Sequence, residues 1–84
     1  MNSFWTLRYD RKVTTFLYSI RGTELATTIH SAIKGLQFKE NPTEGCRQII
    51  EIPNSWEFNV AGHWIEFRMV IESEPIRVLY ITTI

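Results

Sequence analysis

Apolar and polar side chains alternate along three short segments in the second half of the chain. The apolar positions of the first two segments are Trp56, Phe58 and Val60, and then Ile65, Phe67, Met69 and Ile71. A third apolar run, from Ile76 to Ile81, follows Pro75. A period of two is typical of strands with one buried face. The pattern predicts an antiparallel meander over residues 55–82.

The first half of the chain has a helical period instead. Apolar residues recur at i, i+3, i+4 and i+7 from Val13 to Ile20, between a capping Asp10 and a terminating Gly22. A second stripe runs from Leu25 to Leu36, directly after Thr23. These two stripes predict a helical hairpin.

Two further segments complete the predicted sheet. The aromatic run at residues 4–9 predicts an N-terminal strand, and the three isoleucines within residues 47–52 predict another strand before Pro53. A strand, two helices and then several strands indicate an α+β fold. We expect an N-terminal strand, the helical hairpin and then an antiparallel sheet of about three or four strands, with the helices packed on one face.

The alternation also assigns the faces of this sheet. The side chains expected beneath the hairpin are Ile65, Phe67, Met69 and Ile71. Those expected on the opposite face are Trp64, Glu66 and Arg68. A stacking surface, a base and a cation on one face suit an RNA site. An ordinary polar strand face, with Glu66 and Arg68 in loose contact, is the competing interpretation.

Composition limits the class of protein. A chain of 84 residues with 44% apolar side chains has room for one domain, spanning residues 1–84. The chain has no apolar run of transmembrane length and no pattern of a signal peptide, so we expect a soluble cytoplasmic protein without a membrane partner. One cysteine, Cys46, and two histidines provide neither a disulfide nor a metal-ligand set. We expect no metal and no cofactor.

The zero net charge conceals two halves of opposite sign. Residues 1–39 hold six basic and two acidic side chains, whereas residues 40–84 hold three basic and seven acidic ones. Nucleic-acid affinity depends largely on neutralising phosphates with Lys and Arg, so an acidic sheet half is a poor generic phosphate surface. Dispersed surface charge without any implied partner is the simpler interpretation.

The order of elements and several local strings resemble the RelE/ParE superfamily of bacterial type II toxins. The strings are Trp56–Val60, Gly62-His63-Trp64, Phe67-Arg68 and Ile76–Ile81, which resemble the family's strand, Gly-x-aromatic turn, strand and final strand. The segment from Ala32 to Pro42 resembles the end of the family's second helix. The HigB-like branch is most similar, because of the turn and the Phe67-Arg68 pair. The resemblance covers nearly the whole chain and implies a RelE-like fold.

This resemblance implies a toxin of a toxin–antitoxin system that cleaves ribosome-bound mRNA without a metal or, in the ParE branch, inhibits DNA gyrase. A cognate antitoxin is the implied protein partner, the ribosome and mRNA are the implied targets, and a homodimer is compatible with it. The family usually places an arginine directly after the aromatic residue of the turn. Here Ile65 follows Trp64, so either that arginine is lost or Arg68 corresponds to the arginine after the family's phenylalanine. The absence of a basic or aromatic tail after the last strand and the acidic sheet half are further departures.

RNA cleavage by the adjacent 2′-hydroxyl needs a base, an acid and cations. The candidate catalytic residues are His63, Glu66, Arg68 and Arg77. His63 has the intrinsic pKa for proton transfer and lies at a turn, although a solvated turn histidine is the more common case. Arg77 suits bidentate phosphate binding, or it simply faces solvent.

Three more residues are candidates for nucleic-acid binding, namely Arg47, Trp64 and Lys39. Arg47 offers a guanidinium to phosphate, and Trp64 offers a surface for base stacking, although tryptophan is more often found in a core or an interface. Lys39 follows the second helix, where a cation also interacts favourably with the helix dipole without any ligand.

Three hypotheses therefore follow from the sequence. The chain is a toxin-like ribonuclease, a catalytically inactive toxin-fold binding protein, or a plain interaction module. The inactive protein would inhibit gyrase or bind an antitoxin. An exposed sheet edge or an apolar groove would suit the plain interaction module.

Overall fold

The computed structural model of the chain describes residues 5–69 and 76–83. Its elements, in chain order, are β1 Leu7–Tyr9, α1 Arg11–Ser19, α2 Glu24–Gly35, a 3₁₀ turn Leu36–Phe38, β2 Arg47–Gln48, β3 Ser55–Val60, β4 His63–Arg68 and β5 Ile76–Thr83. The α+β class expected from the sequence is confirmed. Neither described helix is both long enough and apolar enough to cross a membrane.

The two helices begin at the capping residues that the sequence predicts. The Asp10 side chain accepts a hydrogen bond from the backbone N–H of Lys12 at 3.0 Å, and Thr23 Oγ1 accepts one from the N–H of Ala26 at 3.1 Å. Each bond satisfies a backbone donor of the first turn that has no partner within the helix. Gly22, with φ of 81°, lies in the link between the helices. The predicted helical hairpin is confirmed.

The sheet is mixed rather than antiparallel. The described strands have the order β1-β5-β4-β3-β2, and β1 pairs with β5 in parallel. The meander of β3, β4 and β5 is antiparallel, as the alternation predicts. The four strands that follow the helices, β2 to β5, pair antiparallel, as expected of the sheet after the hairpin. The expectation of a purely antiparallel sheet is wrong for β1, which joins it in the parallel direction. Parallel neighbours need a long crossover, and here the helices and the meander separate β1 from β5 along the chain.

The strand predicted over residues 47–52 is much shorter than expected. β2 contains only Arg47 and Gln48, and Ile50 is 86% exposed. The chain has to reverse before β3, and it does so through a turn in which the N–H of Ile52 bonds to the carbonyl of Ile49 at 3.3 Å. Pro53 has no backbone N–H for a sheet, and Asn54 has a left-handed φ of 61°. Isoleucine content alone therefore overpredicts this strand.

The core lies between the helices and one face of the sheet. Its fully buried apolar residues are Val13, Ile29, Ile33, Leu36, Ile65, Phe67, Ile76 and Val78. Burying each such side chain contributes about 1.5–3 kcal/mol. Ile65 and Phe67 lie in this core as predicted, and Met69 packs against it partly buried. Ile71, which we expected beneath the hairpin, falls outside the described residues.

A β-bulge interrupts the pairing of the last two strands. Glu66 pairs with Tyr80, but the next residue, Phe67, pairs with Val78, so Leu79 is an extra residue on β5. Strict alternation from Val78 would put Tyr80 on the core side. The extra residue instead brings Tyr80 to the face that carries Glu66.

Candidate functional site on the open face of the sheet

The face of the sheet turned away from the helices, here called the open face, collects most of the polar strand side chains. Residues directly opposite each other on neighbouring strands share a face, so the register defines its membership. The open face carries Arg8 on β1, Arg77, Tyr80 and Thr82 on β5, Trp64, Glu66 and Arg68 on β4, Ser55, Glu57 and Asn59 on β3, and Arg47 on β2. Trp64, Glu66 and Arg68 thus lie on the face that the sequence predicts.

Three arginines stand directly opposite one another across this face. Arg8 pairs with Arg77, and Arg77 pairs with Arg68, to form what we call the arginine row. Like charges in direct register destabilise a sheet. The only ion pair among the residues that the structure describes joins Arg47 to Glu57, outside the row. The arginine row is therefore a concentration of positive charge suited to an anion.

Further contacts define the two ends of the arginine row. Arg68 Nε donates a hydrogen bond to Ser55 Oγ at 3.4 Å. At the other end, Arg8 and Arg77 line a shallow pocket of about 300 Å³ together with Tyr9 and Asp10. The row thus runs from a hydroxyl partner on β3 to a concave edge at β1.

A second row, one step along the strands, contains acidic and phenolic groups. Glu57 pairs with Glu66, and Glu66 pairs with Tyr80. Burial raises the pKa of Glu66 above its ordinary value of 4.5, and the nearby Glu57 carboxylate raises it further, while Arg68 acts in the opposite direction. A carboxyl group whose pKa lies closer to neutral is better matched to proton transfer.

Trp64 is already covered by a side chain of the same face. The Arg47 guanidinium lies 4.6 Å from the centroid of the Trp64 ring, and Arg47 Nε also donates to a Glu57 carboxylate oxygen at 2.8 Å. This stacking is a cation–π contact. A nucleic-acid base could stack on that side of Trp64 only after Arg47 moved. A role of Trp64 in base stacking therefore depends on the position of the Arg47 side chain.

His63 lies on the helix side of the sheet, away from the other candidate catalytic residues. It is only 9% exposed, its ring centroid is 5.6 Å from that of Phe16, and its Nδ1 is 2.7 Å from the carbonyl oxygen of Ala61. Adjacent strand residues point to opposite faces of a sheet, so the side chains of His63 and Trp64 lie on different faces. The structure brings Glu66, Arg68 and Arg77 together and leaves His63 apart.

Lys39 also lies apart from the open face. It follows the 3₁₀ turn, and its Nζ donates a hydrogen bond to the backbone carbonyl of Glu44 at 3.2 Å. Its backbone carbonyl accepts a hydrogen bond from Trp5 Nε1 at 3.1 Å. These contacts give Lys39 a local role in holding the segment between α2 and β2.

Three open-face residues escaped the sequence prediction, namely Arg8, Glu57 and Tyr80. Arg8 and Glu57 alternate with apolar neighbours, and this pattern could have indicated their face. Tyr80 could not be assigned in this way because the bulge changes its side. Lys12 Nζ lies 3.4 Å from the Tyr80 hydroxyl and 4.7 Å from the ring centroid, which adds another cation at this edge.

The charge of the open face differs from that of the sheet half of the sequence. The face carries four arginines and two glutamates. One of these arginines, Arg8, comes from the basic half of the chain, whereas Glu40, Glu44 and Glu51 lie in connecting segments. The fold therefore builds a basic face from a chain whose second half is acidic.

A groove between α1 and α2 is another concave surface among the described residues. Its lining, largely apolar, includes Leu17, Tyr18, Ala26 and His30. The Arg21 guanidinium lies 3.9 Å from the centroid of the Tyr18 ring at its rim. This groove lacks the rows of opposed charged groups found on the open face.

No known family model matches the chain, and no curated protein is significantly similar to it in sequence.

Proposed function

We propose that this chain is a toxin-like endoribonuclease of the RelE/ParE kind, closest to the HigB-like branch, which cleaves ribosome-bound mRNA on the open face. The observation that carries the proposal is the arginine row beside Glu66, whose pKa is raised. The order of a strand, a helical hairpin and a sheet packed on one side supports the resemblance stated from the sequence. A cognate antitoxin is the proposed protein partner.

The proposed reaction uses the RNA's own 2′-hydroxyl as nucleophile. Glu66 takes the proton of that hydroxyl while a bond forms between the 2′-oxygen and the adjacent phosphorus. The bond between phosphorus and the 5′-oxygen breaks, which leaves a 2′,3′-cyclic phosphate and a 5′-hydroxyl that receives its proton from water or from Tyr80. Arg68 and Arg77 stabilise the negative charge that develops on the phosphate oxygens.

A second candidate function is a toxin-fold binding protein without catalysis. It is favoured by the position of His63, which removes one proton-transfer group from the open face. Such a protein would inhibit gyrase or act mainly by binding its antitoxin. The groove between α1 and α2 would then be a second surface for contact with protein.

Addition of the purified protein to a translating extract tests the proposed function. We expect cleaved mRNA, detected by primer extension, with loss of about two orders of magnitude in rate for Glu66→Gln and for Arg68→Ala. His63→Phe should keep most of the cleavage activity, because His63 lies on the other side of the sheet. Arg21→Gln is a control that removes a guanidinium from the helix side.

Intact mRNA at high concentrations of folded protein would contradict the ribonuclease proposal. Growth arrest on expression, combined with intact mRNA and inhibited DNA supercoiling, would select the gyrase version of the binding protein. Cleavage that survives Arg68→Ala but is lost in His63→Phe would place the reaction on the helix side of the sheet and contradict the proposal.

A further inference from the structure

We propose that Arg8 and Arg77 form a second phosphate-binding subsite at the β1 edge of the open face. It would hold a phosphate that neighbours the one reacting at Arg68 and Glu66. Arg77 lies between Arg8 and Arg68, so it faces both phosphates. This inference rests on the proposed function, since it assumes that the open face binds a single-stranded RNA. Its consequence is that the RNA runs across the strands, from β4 to β1, rather than along them.

The pocket at the β1 edge lies apart from the position proposed for the reacting phosphate, beside Arg68 and Glu66. The pocket lined by Arg8, Tyr9, Asp10 and Arg77 does not include Arg68 or Glu66. Arg8 and Arg68 lie two strand spacings apart, about 10 Å between backbones. A phosphate in the pocket therefore lies to one side of the phosphate beside Glu66.

The electrostatics of the β1 edge favour an anion there. Arg8 and Arg77 are both exposed and directly opposite each other, and a planar guanidinium binds a phosphate through two parallel hydrogen bonds. The Asp10 carboxylate in the same pocket already accepts the backbone N–H of Lys12 as the cap of α1. The Lys12 ammonium group, near Tyr80, adds a further positive charge at this edge.

The test measures binding of a short 2′-O-methyl RNA, which cannot be cleaved because its 2′-hydroxyls are blocked. The oligonucleotide is prepared unmodified and with a single neutral methylphosphonate at each position in turn. Dissociation constants are measured at several salt concentrations for the wild type, Arg8→Gln, Arg8→Lys and the control Arg21→Gln. Thermal melts of each variant verify folding.

We expect two neighbouring methylphosphonate positions to weaken binding to the wild type. Arg8→Gln should bind the unmodified RNA roughly tenfold more weakly and become insensitive to one of those two positions. Its negative slope of log affinity against log salt should become shallower by about 0.7, the value for one phosphate contact on a single strand. Arg8→Lys should keep the slope while losing part of the affinity, and Arg21→Gln should match the wild type.

The subsite is overturned if Arg8→Gln binds every oligonucleotide as Arg21→Gln does, or if only one position is sensitive in the wild type. In both cases RNA binding by the open face would survive. Absence of all binding would also overturn the subsite, whereas the cleavage assay in the translating extract decides the proposed function separately. Arg8→Gln removes one of three opposed like charges, so its fold should be retained.

Discussion

At the scale of single residues, the face on which a side chain lies decides its possible role. His63 and Trp64 are adjacent in the chain, but His63 packs against Phe16 while Trp64 stacks with Arg47. The alternation along β4 indicates the face of each residue. Since Ile65 and Phe67 lie beneath the helices, His63 lies on their side of the sheet and Trp64 on the opposite side. The position of His63 at a turn was weaker evidence than its place in that alternation.

Glu66 provides a prediction at this scale. Burial raises its pKa in the folded state, so the folded protein holds this proton more tightly than the unfolded chain does. As the pH rises from about 4.5 through the raised pKa, the wild type should lose stability relative to Glu66→Gln. Thermal melts of both proteins across the acidic and neutral range measure this difference.

The pH effect should be modest, because the Glu66 side chain is only partly buried. Glu40→Gln, at an exposed position in a connecting segment, is the matched control for the loss of a carboxylate elsewhere on the surface. Parallel stability curves for the wild type and Glu66→Gln over the whole range would show that Glu66 has an ordinary pKa.

At the scale of elements, hydrophobic periodicity predicts those parts of the fold that depend on one local pattern. The helical hairpin, the N-caps at Asp10 and Thr23, and the antiparallel β3–β4–β5 meander all agree with it. Features that depend on a partner strand escaped the prediction. The position of β1 beside β5 and the bulge at Leu79 arise from long-range pairing, which single-strand periodicity does not contain.

The turn between β3 and β4 provides a prediction for an element. Ala61 and Gly62 both have left-handed backbones, with φ of 50° and 73°, as a two-residue hairpin turn of type I′ requires. Asparagine tolerates this conformation better than alanine, so Ala61→Asn should raise the free energy of unfolding by about 0.5–1 kcal/mol. Urea denaturation with an unchanged m-value measures the gain.

Gly62→Ala is the matched substitution at the other turn position. Among the described residues, no atom beyond Gly62 and its two chain neighbours lies within 4 Å of the added Cβ, so the cost comes from the left-handed φ. We expect a loss of about 1–2 kcal/mol. Equal stability of Ala61→Asn, Gly62→Ala and the wild type would contradict the strained turn.

At the scale of the whole molecule, the distribution of charge depends on topology more than on sequence blocks. The second half of the chain is acidic, yet the open face has more arginines than glutamates, because Glu40, Glu44 and Glu51 lie in connecting segments. Strand β1 then adds Arg8 beside Arg77. The sequence predicted the α+β class and the face that carries Trp64, Glu66 and Arg68, and it named two more residues of that face, Arg47 and Arg77, as candidates. It missed Glu57, Arg8 and Tyr80. The place of Arg8 beside Arg77 depends on strand order, and the face of Tyr80 depends on the bulge.

NMR of the side-chain N–H groups with a non-cleavable 2′-O-methyl RNA tests most directly whether the open face binds RNA. The Arg Nε and Trp Nε1 signals report on each face separately. The proposed function predicts shifts for Arg68, Arg77 and Trp64, with the signals of Arg21 and Trp5 unchanged. The subsite at the β1 edge adds a shift for Arg8. Shifts confined to Arg21, with the arginine row unaffected, would contradict the proposed function and point to the groove between the helices.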